Sequence, residues 1–158
     1  MSENNIPENY KKTVKSALNM LAYAECTANQ LEKKLIAKGY SPESVEFAVA
    51  YTIRRGYLNE LRYLTRFVDQ LAKNKLYGIN RIALEIYKKG FALNLVRDNL
   101  GECIKDIDFL ENCITLARKC KKSDRNKLYE YLVRAGHQSS HASQAVKIVF
   151  DSDETSEF

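Results

Sequence analysis

The 158 residues contain no tryptophan, two prolines, six glycines and two histidines. So little proline and glycine excludes a loop-rich, collagenous or low-complexity chain. No apolar run approaches the roughly 20 residues a membrane-spanning helix needs, and no secretory leader pattern opens the sequence. A cytoplasmic protein without membrane attachment is expected. The four cysteines, Cys26, Cys103, Cys113 and Cys120, sit inside apolar helical patterns without paired spacing, which favours free thiols in a reducing compartment over a disulfide framework.

Reaction centres are missing as well. No glycine loop suits a phosphate, and no cysteine has a recognisable histidine partner to activate it. His137 and His141, four apart, can be written with Cys113 and Cys120 as a zinc set. A closed finger, however, takes its cysteines from a knuckle roughly two to four residues wide, and this pair is seven apart. The expectation is no enzyme, no metal and no cofactor.

What is abundant is helix-forming sequence with a basic balance. The net charge is +5, and residues 151–158 carry four acids and no base, leaving +9 on residues 1–150. A basic body with an acidic tail suits a polyanion or an acidic protein surface, although a solvated lysine surface would look the same.

The organising pattern is clearest from Arg81 to Leu100. Ile82, Ile86 and Gly90 are spaced by four, Phe91 follows, and Val96 and Leu100 resume the apolar spacing. This reads as helix, tight turn, helix. Leu31, Leu35, Gly39, Tyr40, Val45 and Val49 repeat it upstream, and Leu128, Leu132, Gly136, His137, Ala142 and Val146 repeat it downstream. Gly39, Gly90 and Gly136 are the structural caps, each expected at positive φ after a helix end. Their spacings, 51 and then 46 residues, give an all-α fold of three tandem three-helix units, stacked into an elongated, curved solenoid-like array of either hand. The expected divisions are a flexible start over 1–9, repeats over 10–57, 58–101 and 102–150, and an acidic disordered tail over 151–158.

Local signals fill in the first two units. Thr27-Ala28-Asn29-Gln30 has the form of a capping box, Ser41-Pro42-Glu43 offers an N-cap, a first-turn proline and an acid, and Asn59 caps the next helix. The first helix should end near Cys26. Leu18, Leu21, Leu31, Leu35, Val45, Ala48, Val49 and Ile53 form the expected core of the first unit.

Several segments together resemble the RecX family of bacterial RecA regulators, over about residues 14–150. Ala17-Leu18-Asn19-Met20-Leu21 with Thr27 to Leu35 and Lys38-Gly39 is similar to that family's first-repeat signature. Gly56-Tyr57-Leu58-Asn59-Glu60-Leu61-Arg62-Tyr63 resembles its most distinctive segment, and Gly78 to Ile82 with Lys89-Gly90-Phe91 its third block. Ala24, Gln30, Asn59 and Ile79 depart from the usual residues, marking a divergent member. The resemblance implies tandem three-helix repeats and a regulator that engages the RecA filament on DNA and modulates, in the favoured reading inhibits, its recombinase, ATPase and coprotease activities; a monomer is expected.

The candidate contacts are cationic. Lys73, Lys75, Arg81, Lys88, Lys89 and Arg97 have Tyr77 and Tyr87 interleaved among them, a mix that suits a phosphate backbone or an acidic groove. Arg62 and Arg66 lie one helical turn apart and either meet a partner or pair internally with Glu60 or Asp69. A second cluster comprises Arg118, Lys119, Lys121, Lys122, Arg125 and Lys127. Two other readings stay open: a DNA-binding helical module without sequence specificity, whose third helices lack a row of base-reading side chains, and a helical adaptor that recognises another helical protein through exposed apolar residues.

Overall fold

The computed structural model describes residues 5–120 and 123–156, with side chains placed as far as Ser152. Among these residues the regular structure is entirely helical, nine α-helices after one short 3-10 turn. In chain order they are α1 Lys11–Tyr23, α2 Ala28–Ala37, α3 Pro42–Arg54, α4 Glu60–Lys73, α5 Ile79–Lys89, α6 Leu93–Ile104, α7 Phe109–Lys119, α8 Arg125–Arg134 and α9 Ser139–Ser156. The fold class is all-α.

Chain contacts define two compact units, Met1–Leu64 with Lys89–Asp98, and Thr65–Lys88 with Asn99–Phe158. In the first, α1 and α2 pack on α3 and bury Val14, Ala17, Leu31, Leu35, Val45 and Ala48. Cys26 and Leu58 complete that core, while Leu18, Leu21 and Val49 only edge it. Ile53 departs from expectation. It is 50% exposed, because α3 buries the face carrying Val45, Ala48 and Thr52 and Ile53 falls outside that stripe.

The start of the chain needs a correction too. Within the expected flexible segment, Ile6 packs against the core and Glu8–Tyr10 form the 3-10 turn. The Tyr10 ring lies 5.0 Å from that of Phe47. Residues 1–4 lie outside the described residues.

Helix ends follow the local chemistry. The Thr27 hydroxyl accepts from Gln30 N and the Gln30 side chain accepts from Thr27 N, both at 3.1 Å. Ser41 accepts from Ser44 N with Pro42 opening α3, and Asn59 Oδ1 accepts from Arg62 N at 3.0 Å. Each of these side chains satisfies an amide that has no partner inside its helix. Gly39, Gly90 and Gly136 have φ of 95°, 82° and 95°, and Gly56 has 77°. Tyr40 N and His137 N then donate back to Leu35 O and Leu132 O, recovering carbonyls at the helix ends. α1 stops at Tyr23, three residues before Cys26.

At Gly90 an added Cβ would stand 3.5 Å from Asn29 Nδ2, an ordinary contact, so for the Cβ itself the opposing effect is backbone strain. Gly90→Val is therefore expected to cost about 1 to 2 kcal/mol, read as a lower urea midpoint with an unchanged slope. A neutral midpoint would contradict the positive φ.

The second unit packs α7 and α8 against α9 around Cys113, Ile114, Ala117, Leu128, Leu132, Ala142, Val146 and Val149. The acidic segment from Asp151, expected to be disordered, instead continues α9 to Ser156. Val149 and Phe150 anchor the last apolar turn on the core, and extending an established helix adds a backbone hydrogen bond per residue without a new nucleation cost. Glu157 and Phe158 lie outside the described residues.

Within this unit the connection before α5 docks on the turn between α8 and α9. Gly78 N donates to Ala135 O at 2.9 Å, and Asn80 N to Gly136 O at 3.1 Å. His137 Nε2 lies 2.8 Å from Leu76 O, so that nitrogen carries the proton and donates it. Leu76 itself adopts φ 56°.

Candidate partner-binding surfaces

The cations singled out from sequence are not equivalent in space. Arg81 is held by its own helix and its neighbours: Nε donates to Glu85 Oε1 at 2.9 Å, and the guanidinium stands 5.0 Å over the Tyr77 ring. Lys88 Nζ is 3.8 Å from the same Glu85 carboxylate. One acid thus serves two cations on α5 in the second unit. Lys73 pairs with Asp69 at 3.1 Å, and Lys75 is exposed in the connection that follows. Tyr87 is 74% exposed. An exposed ring beside lysines offers a stacking or cation–π surface, whereas Tyr77 is already covered by Arg81.

In the first unit Lys89 closes α5, and Arg97 Nε donates to the adjacent Asp98 at 3.1 Å. Arg62 pairs with neither of the acids expected for it. Its Nε donates to Glu25 Oε1 at 3.0 Å, a residue 37 positions upstream that no helical spacing connects to it. Arg66, on α4 but within the second unit, is exposed. Exposed ion pairs of this kind contribute little stability and exchange readily for a partner's carboxylate or phosphate.

Glu60, second in the Asn59-Glu60 pair, works within the first unit. Its two oxygens accept from Ala28 N at 2.7 Å and from Ala92 N at 3.3 Å. These amides lie at the starts of α2 and α6, where unpaired N–H groups and the helix dipole favour a negative charge. Glu60 is a structural tie.

In the second cluster Arg118 and Lys119 end α7 and are exposed. Arg125 is occupied, lying 5.0 Å over the Phe150 ring and 3.8 Å from Asp151. Lys127 is exposed on α8. Lys121 and Lys122 lie outside the described residues.

The thiols and imidazoles offer no assembled chemistry. Burial pushes the Cys113 thiol up to about 11, and burial also raises Cys26, so both stay protonated at neutral pH and are poor nucleophiles. Tyr131 donates its hydroxyl proton to Cys120 Sγ at 3.3 Å. Among the described residues no three His, Cys, Asp or Glu side chains gather as a metal site, and no helix is long and apolar enough to cross a membrane.

What the sequence did not locate is the apolar surface that a helical adaptor would use. Ile36, Ile53, Tyr57, Leu61 and Leu93 in the first unit are each between 42% and 76% exposed. The available signal for Ile53 was a surplus of apolar positions on α3, more than one core-facing stripe uses; the other four are spread over α2, α4, α6 and the turn before α4.

Comparison with known proteins bears on the whole arrangement. Residues 15–51 match the family model described as RecX, first three-helix domain. The regulatory protein RecX of Clostridioides difficile is 28% identical over 127 residues, 78% of this chain but 59% of that protein. The protein of the same name from Pelodictyon phaeoclathratiforme is 26% identical over 157 residues, 94% and 93% of the two chains. That from Trichlorobacter lovleyi is 31% identical over 104 residues, 66% of this chain and 68% of its own. The crystal structure of RecX from Lactobacillus salivarius superposes with a TM-score of 0.75 at 21% identity, covering 90% of this chain and 97% of that one, a likeness of fold. On this evidence the chain belongs to the RecX family.

Proposed function

We propose that this protein is a regulator of RecA that binds the RecA filament on DNA and inhibits its ATPase, strand-exchange and coprotease activities. Membership of a family whose named relatives are regulatory proteins carries the reading, and the cations of α5, with Lys88 exposed and Arg81 and Lys89 half-buried, support it. A filament repeats its surface, so a protein built from repeated three-helix units can add weak contacts, each raising the local concentration for the next. Lys88, Lys89 and Arg81 on α5, with exposed Tyr87 between them, are the cations assigned to the contact.

The test is inhibition of DNA-dependent ATP hydrolysis by RecA. Reversing Arg81, Lys88 and Lys89 to glutamate is expected to weaken inhibition at least about tenfold, a loss of ~1.4 kcal/mol, with helical circular dichroism unchanged. Wild-type inhibition by the triple variant would remove this helix from the contact. Binding to bare DNA with a steep salt dependence and no need for RecA would instead favour a DNA-binding module.

A further inference from the structure

Helices α2 and α3 leave a face of the first unit uncovered. Ile36, Pro42, Val49 and Ile53, with Glu32 and Glu46, line a groove of about 400 Å³. Ile36 and Ile53 are 48% and 50% exposed. Ile53 also lines a second depression of about 470 Å³ that continues past Leu58 to Leu61 and Leu95, with Asn59, Glu60 and Asn94 on its wall, so one side chain joins the two into a single strip of aliphatic side chains edged by polar ones. Among the described residues lining either part there is no lysine or arginine, in a chain whose net charge is +5.

We infer that this strip is a docking groove for an amphipathic helix of another protein, with an aliphatic stripe flanked by lysine or arginine. Exposed aliphatic side chains grouped in one strip favour burial by a partner over water. A groove beside two packed helices admits the ridge of a third, with anchors at i, i+3 and i+7. Charge decides the flanks. Glu32 and Glu46 would repel an acidic helix and favour a basic one, which sets the partner apart from the polyanion or acidic surface suited to the lysines of α5. The inference stands on the first unit alone and does not require that RecA be the target.

The probe is a fluorescein-labelled 18-residue helix of leucine and lysine, titrated with the full-length protein and followed by anisotropy, against a matched helix of leucine and glutamate. The leucine–lysine helix is expected to bind. Its affinity should fall at least about tenfold in Ile53→Asp and in the double variant Glu32→Lys, Glu46→Lys, and remain unchanged in Leu84→Asp, which removes an equally exposed apolar side chain from the second unit. The glutamate helix should not bind. Because Glu32 and Glu46 are surface residues, the double variant keeps the test valid even if Ile53→Asp fails to fold. Undiminished binding by the double variant, or equal binding of the two helices, would overturn the proposal. So would concentration-dependent dimerisation in sedimentation velocity that Ile53→Asp abolishes, which would assign the groove to a second copy of this chain. No RecA is present, so either outcome leaves the regulatory reading to its own test.

Discussion

Gly78→Ala is expected to destabilise the second unit by about 3 kcal/mol or more, the upper range for forcing atoms into a packed interior. A Cβ on Gly78 would fall inside the van der Waals envelope of the Gly136 carbonyl group and His137 N. All of these are backbone atoms in a turn fixed by Gly136 N donating to Val133 O and His137 N donating to Leu132 O, so no side chain can rotate away to make room. Separation would also break the hydrogen bonds from Gly78 N to Ala135 O and from Asn80 N to Gly136 O. Gly136→Ala should cost more still, since its Cβ would meet the backbone and Cβ of Arg81 and its φ of 95° adds left-handed strain.

Gly39→Ala is the control for that pair. Gly39 shares the φ of 95° but has open space where its Cβ would stand. It should lose only about 1 to 2 kcal/mol of left-handed strain. Urea unfolding of the three variants therefore separates strain from contact. Equal losses at Gly39, Gly78 and Gly136 would mean that the connection before α5 does not rest on the α8–α9 turn.

The second large effect is acid sensitivity centred on His137. This side chain is 1% exposed. Its Nε2–H donates to Leu76 O, while Nδ1 is buried without a hydrogen-bond partner. Burial lowers its pKa, the bond to Leu76 works against that lowering, and nearby His141 adds to it. A histidine whose folded pKa is depressed binds its proton more tightly when unfolded. Its contribution is complete above the unfolded value of about 6.5 and is lost as the pH falls below it, at a slope of up to ~1.4 kcal/mol per pH unit for one proton. Between pH 7.5 and 5.5 the unfolding free energy of the native protein should fall measurably.

His137→Phe places at this register position the residue type found at Phe91. It should lower stability at neutral pH by removing the donor to Leu76 O, yet flatten the dependence between pH 7.5 and 5.5. An equal acid-induced fall in native protein and variant would show that other groups carry the effect.

These two junctions also mark where sequence reading stopped. The capping box at Thr27–Gln30, the Ser41-Pro42 helix start and the Asn59 cap were legible because each is decided by atoms within three or four residues. The cap glycines were legible for the same reason, and the all-α fold followed from the 3.6-residue apolar period. What Gly78 touches was not. Gly78 and Gly136 meet across 58 residues of chain, and nothing local distinguishes a glycine needed for space from one needed for φ.

The candidate surfaces divide along the same line. That Arg81 and Lys88 share a helix with Glu85 is a matter of spacing, whereas the pairing of Arg62 with Glu25 depends on how α4 meets the residues between α1 and α2. Ile53 is apolar and helical, which alone suggests the core; its exposure depends on which stripe of α3 the packing of α1 and α2 selects. The helical course of the acidic segment to Ser156 was hidden by composition, since four acids in eight residues read as a solvated tail unless an existing helix leads into them.

The most direct measurement for the central claim is co-sedimentation of the full-length protein with RecA filaments assembled on single-stranded DNA with nucleotide, beside RecA without DNA and DNA without RecA. Saturable capture by the filament, weakened by reversing Arg81, Lys88 and Lys89, is the predicted result. Recovery of the protein entirely in the supernatant with filaments, or equal capture by DNA alone, would contradict it.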